Sequence, residues 1–367
     1  MSLVRSDHDD AGPGLTCSPD MLDFPLQYLY ALKLVFGHNV TTRAFARHHA
    51  GSIVRTRLIP SMQSVSLKTF LHPRYWYAWP VLLLMLVMSW MPSRVLWVLG
   101  TGLGSFVSWF PFPNRRFAER NIELCFPDMS PQDRSHLVKK HFQLSGVAIL
   151  GLSVAWFAPR WRVERFVTLR DQHLLDEALA SGKKVILFAP HFISLDMGGA
   201  RLAAIRDRKF VSMYRKSRDP LLEYLFSRRT RFGSILVERM ASLKLIIRAI
   251  REDRIFYYLP DQDMGERASV FVPFFGIPTA TVTILSRLAA TTNAAVLPCI
   301  TRILPGGRGY ELRVYPPFEN FPTDDPVADA RYMNERIEQW VREMPDQYMW
   351  SYRRFKTRPN NEPSLYE

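Results

Sequence analysis

The sequence predicts an α/β fold: a mostly parallel central sheet flanked by helices, with an N-terminal membrane-anchoring helix. Three observations carry this. From about residue 170, short apolar runs alternate with stretches of helical period, the pattern of βα units around a parallel sheet. Hydrophobic residues fill 47% of the 367 positions, enough for a sizeable core. Between Arg74 and Arg94 the chain carries no charge and reads YWYAWPVLLLMLVMSWMPS, close to the roughly 20 apolar residues a spanning helix needs.

The elements follow in order. Residues 1–61 begin with turn formers (SDHDDAGPG) and show no strong period; they read as an extension, and Met62 is the expected biological start. Residues 75–93 form the expected transmembrane helix, with Trp76, Trp79 and Trp90 near its ends, where aromatic belts form. A signal peptide fits poorly, because the run lies far from the N-terminus and no small-residue cleavage site follows. Residues 94–114 are uncharged from Val95 onward and bear Gly100, Gly102 and Gly104; they are expected to lie against the membrane surface. Arg115, Arg116 and Arg120 then place residues 115–367 on the cytoplasmic side by the positive-inside rule.

Ser130 before Pro131 is an N-cap followed by proline at the first helical position, and it parts two helices at residues 127–131. QHLLDEALASG is a helix that closes on Gly182. KKVILFAP is a buried strand, and SLDMGGARLAAIRD a helix with Ser194 at its N-cap and Asp196 in its first turn. KFVSMYR is a strand, PLLEYLFSRRTRF and LKLIIRAIRED are helices, and RIFYYLP is a strand. TVTILSRLAATTN is a helix, AAVLPCITRI and YELRVYPP are strands, and DARYMNERIEQWVREMP closes as a helix.

The formal net charge of +14 points to an anionic partner without choosing among nucleic acid, anionic lipid and acidic protein. Cys17, Cys125 and Cys299 are odd in number and far apart, which suggests neither a disulfide framework nor a zinc site. No clustered metal ligands, no phosphate-binding glycine loop and no nucleic-acid module occur, so no metal, no cofactor and no nucleic acid are expected.

Ligands of open α/β sheets bind at the carboxyl ends of the strands, where KVILFAP delivers His191. An imidazole there can take up a proton. Asp196, five positions on, is expected to fold back, fix the tautomer and stabilise the imidazolium. No protein nucleophile stands beside the pair, which suits activation of a substrate hydroxyl for direct acyl transfer. The spacing is loose, and a capping Asp next to a satisfied His would give the same letters. YYLPDQDMGER should emerge on the same sheet edge, with Asp261 and Asp263 on one side of an extended chain and Arg267 able to hold an anion. An acidic loop that caps turns explains it equally. RRTRFG (Arg228, Arg229, Arg231) is either a phosphate contact or a solvated helix face. WSYRRFKTRP (Arg353, Arg354, Lys356, Arg358) is either an anion-contacting face or a basic tail.

The ordered set FLHPRYW, RNIELCFPDMS, PHFISLD, PDQD, SVFVPFFG and QYMWSYRRFKTRP resembles the lysophospholipid acyltransferase superfamily. More narrowly it resembles the bacterial lipid A biosynthesis acyltransferases of the lauroyl type, from about Leu71 to the C-terminus. The resemblance implies transfer of a fatty acyl chain from acyl carrier protein to a hydroxyl on a 3-hydroxyacyl chain of a Kdo-bearing lipid A precursor. It places the enzyme in the inner membrane as a single-pass protein, with residues 115–367 as the catalytic domain on the cytoplasmic face. The family's His-x4-Asp/Glu motif falls on His191 and Asp196; lauroyl members commonly carry Glu where this chain has the shorter Asp. The family's arginine falls on Arg229 or Arg231, and the aspartate of its PDxD block on Asp261. Arg229, Arg231, Asp261 and Asp263 are the expected substrate-binding residues. An apolar groove for the acyl chain is required, with TVTILSRLAA and SVFVPFFG as candidate linings. Two other readings remain: an acyltransferase for lysophospholipid, against which HPRYW and YRRFKTRP argue, and a membrane-anchored, non-catalytic binder of anionic lipid, in which His191→Ala would leave function untouched.

Overall fold

The computed structural model describes residues 65–239 and 243–366, so the extension 1–61 and the proposed start at Met62 lie outside the described residues. Apolar runs of the sequence form most of a seven-stranded sheet, whose central strands lie buried because helices cover both faces. Its strands are β1 (Val167–Arg170), β2 (Lys184–Phe188), β3 (Phe210–Tyr214), β4 (Ile235–Glu238), β5 (Ile255–Tyr258), β8 (Ala294–Ile303) and β9 (Tyr310–Val314). The order is β1-β9-β8-β2-β5-β3-β4. Every neighbouring pair is parallel except β8 with β9. A separate hairpin, β6 (Ser269–Phe274) with β7 (Ile277–Val282), turns at Phe275 and Gly276, both at positive φ, as a tight hairpin demands. Strands β1, β4, β6 and β7 have no counterpart in the sequence expectations; at four to six residues, two of them in a hairpin, they carry little periodic signal.

The helices between strands sit where the caps place them. Ser130 Oγ accepts from Asp133 N at 3.1 Å and opens a 27-residue helix at Pro131. Gly182, at φ 76°, follows the helix Gln172–Ala180. In chain order the helices are α1 (Ala78–Met88), α2 (Ser93–Val107), α3 (Pro113–Cys125), α4 (Pro131–Phe157), α5 (Arg160–Phe166), α6 (Gln172–Ala180), α7 (Leu195–Ala203), α8 (Pro220–Ser227), α9 (Leu243–Arg251), α10 (Ile284–Thr292) and α11 (Pro326–Glu343).

The expected transmembrane helix over 75–93 is not formed. Among the described residues no helix is long and apolar enough to cross a membrane. The stretch makes α1, which at 11 residues spans about 16 Å against about 30 Å of hydrocarbon. Two causes stop it. Pro92 disfavours helical backbone at Met91. Arg162, on α5, then donates to the carbonyls of Ser89 at 2.7 Å and Met91 at 2.6 Å, satisfying oxygens that a helix end leaves open. The chain turns back as α2, whose Gly100 and Gly104 press against Gly146 and Val147 of α4 so closely that a Cβ at any of the three glycines would strike backbone. The outer sides of α1 and α2 expose Leu83, Leu84, Val98 and Leu99, and Trp109 beyond them is 76% exposed.

Candidate active site

Two neighbouring strands build the centre. Strands β2 and β5 run parallel with Phe188 opposite Tyr258, and the ladder continues with Ala189 N donating to Tyr258 O. Beyond that pair the chain reads Phe188-Ala-Pro-His191 on one strand and Tyr258-Leu-Pro-Asp261 on the other. Equal spacing from a common register therefore delivers imidazole and carboxylate to the same point. His191 Nδ1 lies 2.6 Å from Asp261 Oδ1, and the His191 amide donates to both carboxylate oxygens at 3.1 and 3.0 Å. Tyr348 Oη donates to Asp261 Oδ2 at 2.9 Å. The pair is buried: His191 is 4% exposed and Asp261 1%. Burial by itself would push the Asp261 carboxyl up. The His191 ring and its hydrogen bonds, with the Arg354 guanidinium, outweigh that and hold it below the usual carboxylate range. Burial and the facing carboxylate push the Tyr348 phenol well up.

Asp196 therefore does not occupy the place expected of it. It sits in the first turn of α7, as the sequence predicts, but its two oxygens accept from Arg229 Nε at 2.7 Å and Nη2 at 3.0 Å. The fold-back contact to His191 is replaced by the contact to Asp261, because the turn after His191 is held by other bonds: the main chain bridges Phe192 to Tyr348, and Ser194 Oγ donates to Thr301 O. Arg229 is anchored further by the rings of Phe226 and Trp156. Of the remaining expected binding residues, two are committed to the scaffold. Arg231 donates to the carbonyls of Ala155, Val154 and Ala158 at the end of α4, where a cation suits the helix dipole. Burial, with Arg228 and Arg160 nearby, lowers it to about 10. Asp263 accepts from Thr357 N and Oγ1, each at 2.7 Å, and from Gly265 N at 2.9 Å.

Two participants, Gln262 and Tyr348, escaped the sequence analysis. Gln262 Nε2 lies 3.1 Å from His191 Nε2, and its Oε1 accepts from Arg239 at 3.0 Å. Tyr348 and Arg354 close the network below Asp261; Arg354, read from the sequence as part of either an anion-contacting face or a basic tail, is 1% exposed. The available signal was the pair FAPH and YLPD, two strand ends of identical spacing.

His191 and Gln262 open on a cavity of about 330 Å³. Arg229, Arg231 and Arg239 border it, and apolar residues such as Leu236, Val237, Ile246 and Leu288 line it. Val282, Ile284 and Leu288 come from TVTILSRLAA. From SVFVPFFG, Phe274 instead stacks against Tyr348, Phe355 and Phe275.

Residues 65–357 match the bacterial lipid A biosynthesis acyltransferase family. The chain belongs to that family. As a lipid A acyltransferase family member it is 35% identical to the lipid A biosynthesis lauroyltransferase of Escherichia coli K12, over 81% of this chain and 96% of that one. It is 33% identical to the lipid A biosynthesis palmitoleoyltransferase of the same organism, over 82% and 97%. A 1-acyl-sn-glycerophosphate acyltransferase from Thermotoga maritima aligns at 13% identity over 68% of this chain and 98% of that one, with a TM-score of 0.32, too low to carry an argument. Family membership makes the protein an acyltransferase enzyme.

Proposed function

We propose that the protein transfers a fatty acyl chain from acyl carrier protein to a hydroxyl of a 3-hydroxyacyl chain on a Kdo-bearing lipid IVA precursor, with no cofactor. The observation that supports this best is the buried His191–Asp261 pair at the mouth of an apolar cavity. The carboxylate holds the Nδ1 proton and leaves Nε2 as a base. Nε2 takes the hydroxyl proton as the oxygen attacks the thioester carbon. The tetrahedral intermediate collapses, the C–S bond breaks, and the imidazolium returns the proton to the departing thiolate. Backbone N–H groups at the start of α7 are the proposed donors to the oxyanion. In this reading Asp196 positions Arg229, which meets a phosphate or Kdo carboxylate of the acceptor. The apolar sides of α1 and α2 lie on the cytoplasmic surface of the inner membrane, with their tryptophans at headgroup level.

Purified protein in detergent, given a tetra-acylated Kdo-bearing precursor and mixed acyl carrier protein thioesters, should add one acyl chain by mass spectrometry, and His191→Ala should not. Acylation of lysophospholipid instead, by folded protein that ignores the precursor, would replace the acceptor in this reading. For the membrane face, Leu83→Glu with Val98→Glu should lower co-flotation with anionic vesicles; unchanged flotation would reject that face.

A further inference from the structure

The hydrogen bonds around His191 have a fixed direction. Arginine can only donate, so Gln262 must present its oxygen to Arg239 and its amide nitrogen to His191. A carboxylate can only accept, so the ring proton of His191 is on Nδ1, facing Asp261. It follows that the Gln262 N–H donates into the Nε2 lone pair, the one needed to accept a proton from a hydroxyl. In this conformation the base is capped.

We propose that Gln262 is a positioning residue that masks the His191 base until the acceptor arrives, and so favours transfer over hydrolysis of the thioester. This rests on the acyl-transfer reading above. Water bound at an uncapped Nε2 would hydrolyse the acyl donor: its proton goes to Nε2, its oxygen to the thioester carbon, and the thiolate leaves with the proton returned by the ring. The amide occupies the place such a water would take. Gln262 is in turn held by Arg239, which also borders the cavity and donates to Met264 Sδ. An anionic group is a stronger acceptor than an amide oxygen. When the anionic acceptor reaches Arg239, it draws the guanidinium away, Gln262 loses its anchor, and the acceptor hydroxyl replaces the amide on Nε2.

The test compares wild type with Gln262→Ala and Gln262→Met, the second keeping side-chain length without either hydrogen bond. Two rates are read in the full-length protein: hydrolysis of acyl carrier protein thioester without acceptor, and carbethoxylation of His191 by diethyl pyrocarbonate, followed by peptide mass spectrometry. Both should rise about five- to tenfold in the variants, the worth of one net hydrogen bond, and the ratio of hydrolysis to transfer should rise with them. Unchanged hydrolysis and carbethoxylation overturn the proposal. So does an equal fall of hydrolysis and transfer, which would make Gln262 part of the acyl-binding machinery. If the wild type neither transfers nor hydrolyses, the functional reading fails, and the carbethoxylation rates still decide whether Gln262 masks the ring.

Discussion

Two imidazoles are buried among the described residues, and their surroundings differ. His141, in the middle of α4, is 0% exposed; its Nδ1 lies 3.3 Å from the Asp346 carbonyl and its Nε2 has no partner. Burial lowers it to about 4, so it is neutral at physiological pH. His191 is almost as deeply buried, yet a carboxylate meets one ring nitrogen, an amide meets the other, and a cavity opens beside it. Burial alone thus makes an inert core ring. Burial with a paired carboxylate makes a ring that is fixed in orientation and faces a cavity.

The sharpest way to break this contrast is to remove the charge. Asp261→Asn should reduce kcat/KM for transfer about 10³-fold with far-ultraviolet circular dichroism unchanged, because the ring loses the group that fixes its tautomer and stabilises its cation. His141→Met should leave kcat intact. Comparable losses in both would dissolve the distinction.

The next effect is on stability and concerns His141. Its folded value lies below the ordinary histidine value of about 6.5, so the unfolded chain binds more protons between those two values. The stability it contributes is present above about pH 6.5 and is lost as the pH falls toward about 4, on the order of 3 kcal/mol. Urea unfolding at pH 7 and pH 4.5 should show His141→Met losing less stability on acidification than the wild type. Asp261 acts in the same direction at lower pH: its carboxyl is held below the usual range, so its contribution is lost only as the pH falls below about 4.

Smaller effects separate the three aspartates. Asp263→Ala should cost about 1–3 kcal/mol in urea unfolding, since Thr357 and Gly265 lose their acceptor, with kcat retained. Asp196→Asn should raise KM for the acceptor about tenfold by loosening Arg229, with a smaller change in kcat. If Asp196→Asn instead matches Asp261→Asn in kcat, the roles assigned to the two carboxylates are reversed.

Much of the fold was legible in the sequence, and its reach can be followed residue by residue. The apolar runs 184–188 and 255–258 announce buried strands, and both form. Ser130 with Pro131 announces a helix start, and the cap is made. The four-residue strand Ile235–Glu238 passes unnoticed between two helices because so short a run has no period to detect. The identity of the carboxylate on His191 was misread for a related reason. Spacing along the chain favours Asp196, five residues away, over Asp261, seventy away. Distance along the chain is irrelevant once two parallel strands share a register.

By itself, then, the sequence determined most of the helices and the strands β2, β3, β5, β8 and β9, that His191 stands at a strand end, and to which family the chain is similar. Those are local properties, written in periodicity, caps and ordered motifs. Tertiary structure alone decided that β2 and β5 are neighbours, so that Asp261 rather than Asp196 meets His191. It also decided that Arg162 takes up the carbonyls of Ser89 and Met91 where α1 ends, instead of letting the apolar stretch run on as one span. Both outcomes rest on contacts between residues about seventy positions apart, made because buried polar groups must find partners wherever the fold brings them.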